Sequence, residues 1–277
     1  MKKLTKRNLK LSSIDVNLSL EQREFIKKYL VKNKRIRIYQ LIIIIGFIGA
    51  WEVTTYLKIL DSFVFSSPSR VTRTFIDMAE DGSIFYHMGI TLAETLISFV
   101  FVIVIGLLMA VLLWWNDSVS KVLEPYLVVL NSLPKSALAP VFIVWLGNNM
   151  KTIITAAVLV ALFGTIISLY ADFNSIEEDK IKLIETLGGK KKDVLLKVII
   201  PSNVPSIISI MKVNIGLSLV GVIIGEFLAA KAGLGYLIIY GSQVFKLDWV
   251  IMSIVLLCIM ATALYKILAV IEKRFQY

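Results

Sequence analysis

Six stretches of the chain stay apolar over the length a helix needs to cross a bilayer. A hydrocarbon core of ~30 Å takes about 20 mostly apolar residues in a helix, and backbone inside it must satisfy its own hydrogen bonds. The blocks cover about 39–57, 87–115, 126–146, 152–170, 204–227 and 249–270. Pro134 and Pro140 interrupt the third. This pattern predicts an all-α integral membrane protein with six transmembrane helices. The apolar share, 57%, exceeds the ~45–50% of soluble domains and excludes a disordered chain. A single cysteine, Cys258, excludes an intrachain disulfide framework. The first block lies too deep for a cleavable signal peptide and has no small-residue cleavage site after it, so it reads as a span.

Orientation follows from the cations, because Lys and Arg are retained on the cytoplasmic side. With six spans both termini share a side. Residues 1–38 carry 12 Lys/Arg, and the connections 116–125 and 171–201 with the tail bring that side to 22. The opposite connections carry 6. Both termini are therefore expected in the cytoplasm, and the net charge of +10 is a topology signal. No basic patch interleaved with aromatics suggests nucleic acid. Trp51, Trp114, Trp115, Trp145 and Trp249 all fall near expected span ends, where amphipathic rings suit the headgroup region.

The polar remainder contains two segments with helix signals. Residues 19–35 open with Ser19-Leu20-Glu21-Gln22, a capping-box pattern, and carry Phe25, Ile26, Tyr29 and Leu30 among lysines. They read either as a helix on the membrane surface or as a solvated basic arm. Between the first two spans, Val71 to Met78 form a short amphipathic run after Pro68. In the 171–201 connection, Ser175-Ile176-Glu177-Glu178 is a second capping-box pattern. Ile181, Ile184 and Leu187 then recur at helical spacing, and Gly188-Gly189 fit a C-cap. A second amphipathic stretch, Lys190 to Val198, ends at Pro201. This compact helix–Gly–helix connection suits docking of a cytoplasmic partner; a cationic hairpin without a partner is the plainer alternative.

Nothing in the sequence suggests catalysis. There is no phosphate-binding G-x-x-x-x-G-K-[ST] loop, no nucleophile elbow and no zinc-binding His pattern. His87 stands alone at a span edge. No cofactor or metal is expected on the chain, so any ATP energy must come from another chain.

The motifs resemble those of type I ABC import permeases. Leu187-Gly188-Gly189 followed by Ile199-Ile200-Pro201 is similar to their EAA loop. Leu133-Pro134-Lys135-Ser136-Ala137-Leu138-Ala139-Pro140, with Val144-Trp145-Leu146-Gly147, looks like the third-span signature of the nitrate/sulfonate/taurine branch. Glu226, Ala230 and Gly233-Leu234-Gly235-Tyr236-Leu237 look like that branch's outer gate region, and Pro68-Ser69 fits too. The resemblance covers about 65–277. Aligned on Gly188, the family's Glu falls at Lys182, and its following small residues fall at Leu183 and Ile184.

The resemblance implies a six-span permease domain over 39–277, after a basic segment over 1–38, in a bacterial plasma membrane. Its expected partners are a second permease copy, two ABC ATPase subunits that hold ATP and Mg, and an extracytoplasmic substrate-binding protein. Coupling to the ATPase would fall to Ile181, Lys182, Ile184, Glu185, Leu187, Gly188, Gly189 and Pro201. The translocation path and gate would involve Asn131, Pro134, Lys135, Pro140, Glu226, Gly233 and Gly235. Lys135 reads either as a path cation favouring anionic or zwitterionic cargo or as a lysine snorkelling to the interface; Lys212 reads as snorkelling or interhelical. The branch carries sulfonates, taurine, nitrate or thiamine-precursor pyrimidines. The rival reading is a self-contained secondary transporter or channel. That class tends to repeat its broken helices in both halves, and Pro134/Pro140 have no counterpart.

Overall fold

A computed structural model describes residues 19–275. It divides into two compact units, Met1–Ser62 and Phe63–Tyr277, each considered by itself. Residues 1–18 of the expected basic segment lie outside the described residues.

In the first unit, α1 (Leu20–Tyr56) is one helix of 37 residues. The Ser19 capping box forms: the Gln22 N–H donates to Ser19 Oγ and the Ser19 N–H to Gln22 Oε1, each at 3.3 Å. The helix does not stop at the polar–apolar boundary. The surface helix expected over 19–35 and the first span are continuous, because no proline or capping signal separates them. At the far end, Thr54 donates its hydroxyl to the Ala50 carbonyl at 2.8 Å, a partner available without water.

After a single turn, α2 (Ser62–Phe65), the second unit continues with α3 (Pro68–Glu80). Ser67 caps α3 by accepting from the Arg70 N–H, and Pro68 occupies the first turn, where a missing N–H costs nothing. Val71, Phe75 and Met78 face the core, as their spacing predicts. Then come α4 (Ser83–Trp115), α5 (Asp117–Ser132), α6 (Lys135–Leu146) and α7 (Met150–Asn174). They are followed by α8 (Glu178–Thr186), α9 (Lys191–Val194), a π turn (Leu195–Ile199), α10 (Ile200–Ala229), α11 (Leu234–Gln243) and α12 (Leu247–Phe275). No strand occurs among the described residues.

Five helical stretches are long and apolar enough to cross a membrane, and the pair α5–α6, bent by 94°, supplies a sixth if it counts as one span. The bend lies at Leu133-Pro134. Pro140 does not break the chain; it sits inside α6 as its sixth residue, where its missing N–H leaves the Ser136 carbonyl without an intrahelical donor. Pro201 likewise does not close the preceding stretch. Residues Lys191–Ala229 run on as one helical segment. The π turn upstream widens the helix, and the Ile200 N–H reaches the Leu195 carbonyl, so the ring is accommodated without a stop. Ser175 is not an N-cap. It ends α7, its hydroxyl donating to the Asp172 carbonyl at 2.8 Å, and α8 starts at Glu178 without a side-chain cap.

Helix α10 is central, packing against α7, α4 and α12. Small residues set the approach. A Cβ on Gly221 would stand 2.6 Å from Ala157 Cα, and one on Gly225 2.9 Å from Ile153 Cα. Gly221, Gly225 and Ala229, small residues at four-residue spacing, are thus consumed within the chain, in the α7–α10 seam. Lys212 proves interhelical: its Nζ lies 2.7 Å from Glu272 Oε2 on α12.

Gly221→Leu should therefore destabilise the protein by about 1–3 kcal/mol, the usual cost of overpacking. Gly216→Leu, where a Cβ meets nothing within 4 Å, should be tolerated. Thermal unfolding of the two variants in detergent checks the contrast.

Candidate functional site

Residues expected to act fall in three places. The first is the connection between α7 and α10. Helix α8 ends in a Schellman motif: the Gly188 N–H donates to the Glu185 carbonyl and the Gly189 N–H to the Ile184 carbonyl, both at 2.9 Å. Gly188 has φ +80°, a left-handed conformation that glycine adopts without a Cβ penalty. Gly189 is needed for space, since a Cβ there would meet the Ile184 carbonyl oxygen at 2.8 Å.

The faces of α8 differ from expectation. Ile181 and Ile184 do not point away from the membrane domain; they pack on a cluster that includes Leu169, Phe173 and Ile199. The exposed apolar side chains are Leu187, at 76%, and Leu183, at 59%. Helical spacing groups Ile181, Ile184 and Leu187, but only tertiary packing reveals which apolar side is covered. Lys182 pairs with Glu178 at 2.9 Å, and that ammonium holds the Glu178 carboxyl below its usual range. Glu185 is exposed, as is Pro201. Beyond the glycines, the Lys191 ammonium donates to the Trp115 carbonyl at 2.7 Å and lies over the Trp114 ring at 5.4 Å. This contact fastens the connection to the C-terminal end of α4.

The second place is the α5–α6 bend. Pro134 cannot continue α5, and the freed carbonyls at its end need donors. Lys135 folds back to supply one, its ammonium donating to the Asn131 carbonyl at 2.5 Å and approaching Asn131 Oδ1 at 3.4 Å. A cation there also complements the negative end of the helix. Lys135 is half-buried.

The third place lies at the other end of α4. Glu226 is not a solvated span end: it is 1% exposed. Gly233 begins α11 but has no side chain with which to cap it. Glu226 does so instead, accepting from the Gly235 N–H at 2.5 Å and from the Thr91 hydroxyl at 2.7 Å. Thr91 Oγ1 accepts in turn from the Leu234 N–H at 2.8 Å, and His87 Nδ1 from the Gly233 N–H at 2.9 Å. A carboxylate thus fills the positive, donor-rich N-terminus of α11. Gly233, at φ +119°, leaves no room for a Cβ, which would strike that carboxylate. Gly235 is equally restricted, with Glu226 Oε2 2.7 Å from a would-be Cβ.

The sequence reading missed His87, Thr91 and Glu94 as members of this group. Their spacing along α4 puts all three near one face, and Glu94 is a carboxylate in an apolar block, which was the available signal. Glu94 is 2% exposed, and its carboxyl meets that of Glu226. It lines a cavity of about 490 Å³ between the first turns of α4 and α7 and the segment after α10. None of Asn131, Pro134, Lys135, Pro140, Glu226, Gly233 or Gly235 lines that cavity.

Glu226→Ala should destabilise the protein by about 3 kcal/mol, since hydrogen bonds to charged groups contribute ~1.5–3 kcal/mol and their donors would be left buried. It should also raise amide exchange across residues 230–236. Glu226→Gln, which still accepts, should lose less. Hydrogen-exchange mass spectrometry in detergent distinguishes the two.

Similarity to known proteins agrees with this architecture. The family described as "Binding-protein-dependent transport system inner membrane component" matches residues 102–276. The formylaminopyrimidine transport permease protein ThiX of Halalkalibacterium halodurans is 30% identical over 187 residues, covering 67% of this chain and 74% of that protein. The putative aliphatic sulfonates transport permease protein SsuC of Bacillus subtilis is 22% identical, covering 82% of each. The taurine transport system permease protein TauC of Escherichia coli is 21% identical, covering 81% of this chain and 83% of that one. Among solved structures, an inward-facing form of the MetNI methionine ABC transporter shares the fold. Its TM-score is 0.62 at 18% identity, covering 70% of this chain and 97% of that one. The chain belongs to the family of binding-protein-dependent transport system inner membrane components.

Proposed function

We propose that this chain forms the path of a small polar solute across a bacterial plasma membrane as one of two identical copies, with its 171–201 connection docked on an ATPase in the cytoplasm. The chain is the non-catalytic permease subunit of an ABC importer, and ATP hydrolysis belongs to a separate subunit. The class works with an ATPase and a substrate-binding protein. In our reading two ATPase copies hold ATP and Mg, residues 39–277 are the permease domain, and residues 1–38 are a basic cytoplasmic segment. The cation imbalance of 22 to 6 supports that orientation.

One observation carries the coupling assignment. A charged helix, closed at a fixed point by Gly188, exposes Leu183 and Leu187 beside the covered Ile181 and Ile184. An amphipathic helix with anchors on one side is the form that inserts into a partner's groove. Closure of the ATPases on ATP would draw two such helices together and switch the path from inward- to outward-facing; hydrolysis would reset it. As an allosteric machine it needs two global states with different contacts in each. The path is proposed to run past Asn131, Pro134, Lys135 and Pro140, with Glu226, Gly233 and Gly235 shaping the outer gate. The relatives named for a formylaminopyrimidine, aliphatic sulfonates and taurine suggest cargo of such chemistry. No observation favours a self-contained transporter or channel.

Gly188→Val tests this. A β-branched residue at φ +80° costs ~1–3 kcal/mol and would reorient the end of α8. Solute uptake into proteoliposomes holding the whole complex should fall at least tenfold (~1.4 kcal/mol) while ATP hydrolysis persists. Uptake and hydrolysis unchanged together would remove the coupling role from this connection.

A further inference from the structure

The bundle buries two carboxyl groups that meet, and only one has donors of its own. Glu226 is occupied by Thr91 and by backbone N–H groups of α11. Glu94 Oε2 takes no hydrogen bond from any donor, although the residue is 2% exposed. Its carboxyl shares a hydrogen bond with that of Glu226, which leaves Oε2 as the oxygen without a partner. Glu94 also forms part of the wall of the 490 Å³ cavity, a volume within the ~300–1,000 Å³ of small-ligand sites. The other walls are chiefly apolar and aromatic, Phe85 and Tyr86 among them, and Lys231 is also among the lining residues.

We infer that this cavity binds a small organic solute through an ammonium or amino N–H group donated to Glu94. A buried carboxyl with an unused acceptor oxygen is completed by a donor. An amine-free sulfonate or nitrate offers only acceptors and negative charge, so it has nothing to give this wall. A short carbon skeleton or a flat ring fits against Phe85 and Tyr86, and the exposed Lys231 suits an anionic or acceptor group at the opposite end of a zwitterion. The inference rests on the permease reading above and narrows its cargo to amine-bearing solutes. It assigns Glu94 a contact that none of the expected path residues makes, since none of them lines the cavity.

The test uses the full chain in lipid nanodiscs and two matched probe pairs: taurine against ethanesulfonate, and 4-aminopyrimidine against pyrimidine. Titration calorimetry at pH 7 should show the amine-bearing member of at least one pair binding about tenfold tighter or more, a difference of ~1.4 kcal/mol. Glu94→Leu, which removes the acceptor, should abolish that preference. Gly89→Leu narrows the cavity from a position where a Cβ meets nothing within 4 Å. It should weaken the same probe while leaving the acid pair in place, which guards against misfolding of the first variant. Equal binding within both pairs, no binding by any probe, or a preference that survives Glu94→Leu would overturn the inference. The permease reading fails by a different result: no ATPase subunit co-purifies with the wild-type chain.

Discussion

A helix that stops inside or at the edge of hydrocarbon must hand its freed backbone groups to a partner, because no water is there to take them. The second unit of this protein meets that demand at each of its breaks with a different device. At Pro134 the donor is local, Lys135 turning back onto the Asn131 carbonyl. Before Pro201 the backbone itself adapts, through a π turn. At the start of α11 the partners come from two other helices, Glu226 of α10 and the pair His87 and Thr91 of α4. The last device is the most demanding, because its full set of bonds needs three helices in register.

That register depends on the seam between α7 and α10. Gly221 and Gly225 let the two backbones approach to the point where a single added carbon would collide, and Gly106 lets α4 approach Thr165 of α7 in the same way. Interiors packed at this density transmit displacement and do not absorb it. The clasp around Glu226 and the cavity beside it are therefore mounted on a tightly packed three-helix frame.

Local features were legible in the sequence. The apolar blocks, the Ser19 capping box, the start of α3 at Ser67-Pro68 and the left-handed turn at Gly188 each depend on residues a few positions apart, and periodicity or turn chemistry reports them. Features set by packing were not. Which side of α8 is covered, and hence that Leu183 and Leu187 are exposed and Ile181 is not, depends on Phe173 and Ile199. Ser175 has capping-box spacing, yet α7 extends far enough to claim it. Nor could the burial of Glu226 be read locally, because its partner Thr91 stands 135 positions earlier in the chain, a separation no local pattern spans. Length marks six candidate spans; five are single long helices and the sixth is the α5–α6 pair bent by 94° at Pro134, a fold that apolar length alone does not show.

The fastening of Lys191 to Trp115 gives α4 a mechanical character. This helix has 33 residues and is about 50 Å long at 1.5 Å per residue. One end is held by the connection that carries α8, and the other bears His87, Thr91 and Glu94. An unbroken rod of that length is a beam: a tilt of about 5° around its middle shifts its two ends by about 2 Å in opposite directions. A push at the lysine would thus reach the acid clasp as a movement of opposite sense, without any helix bending or unwinding between them.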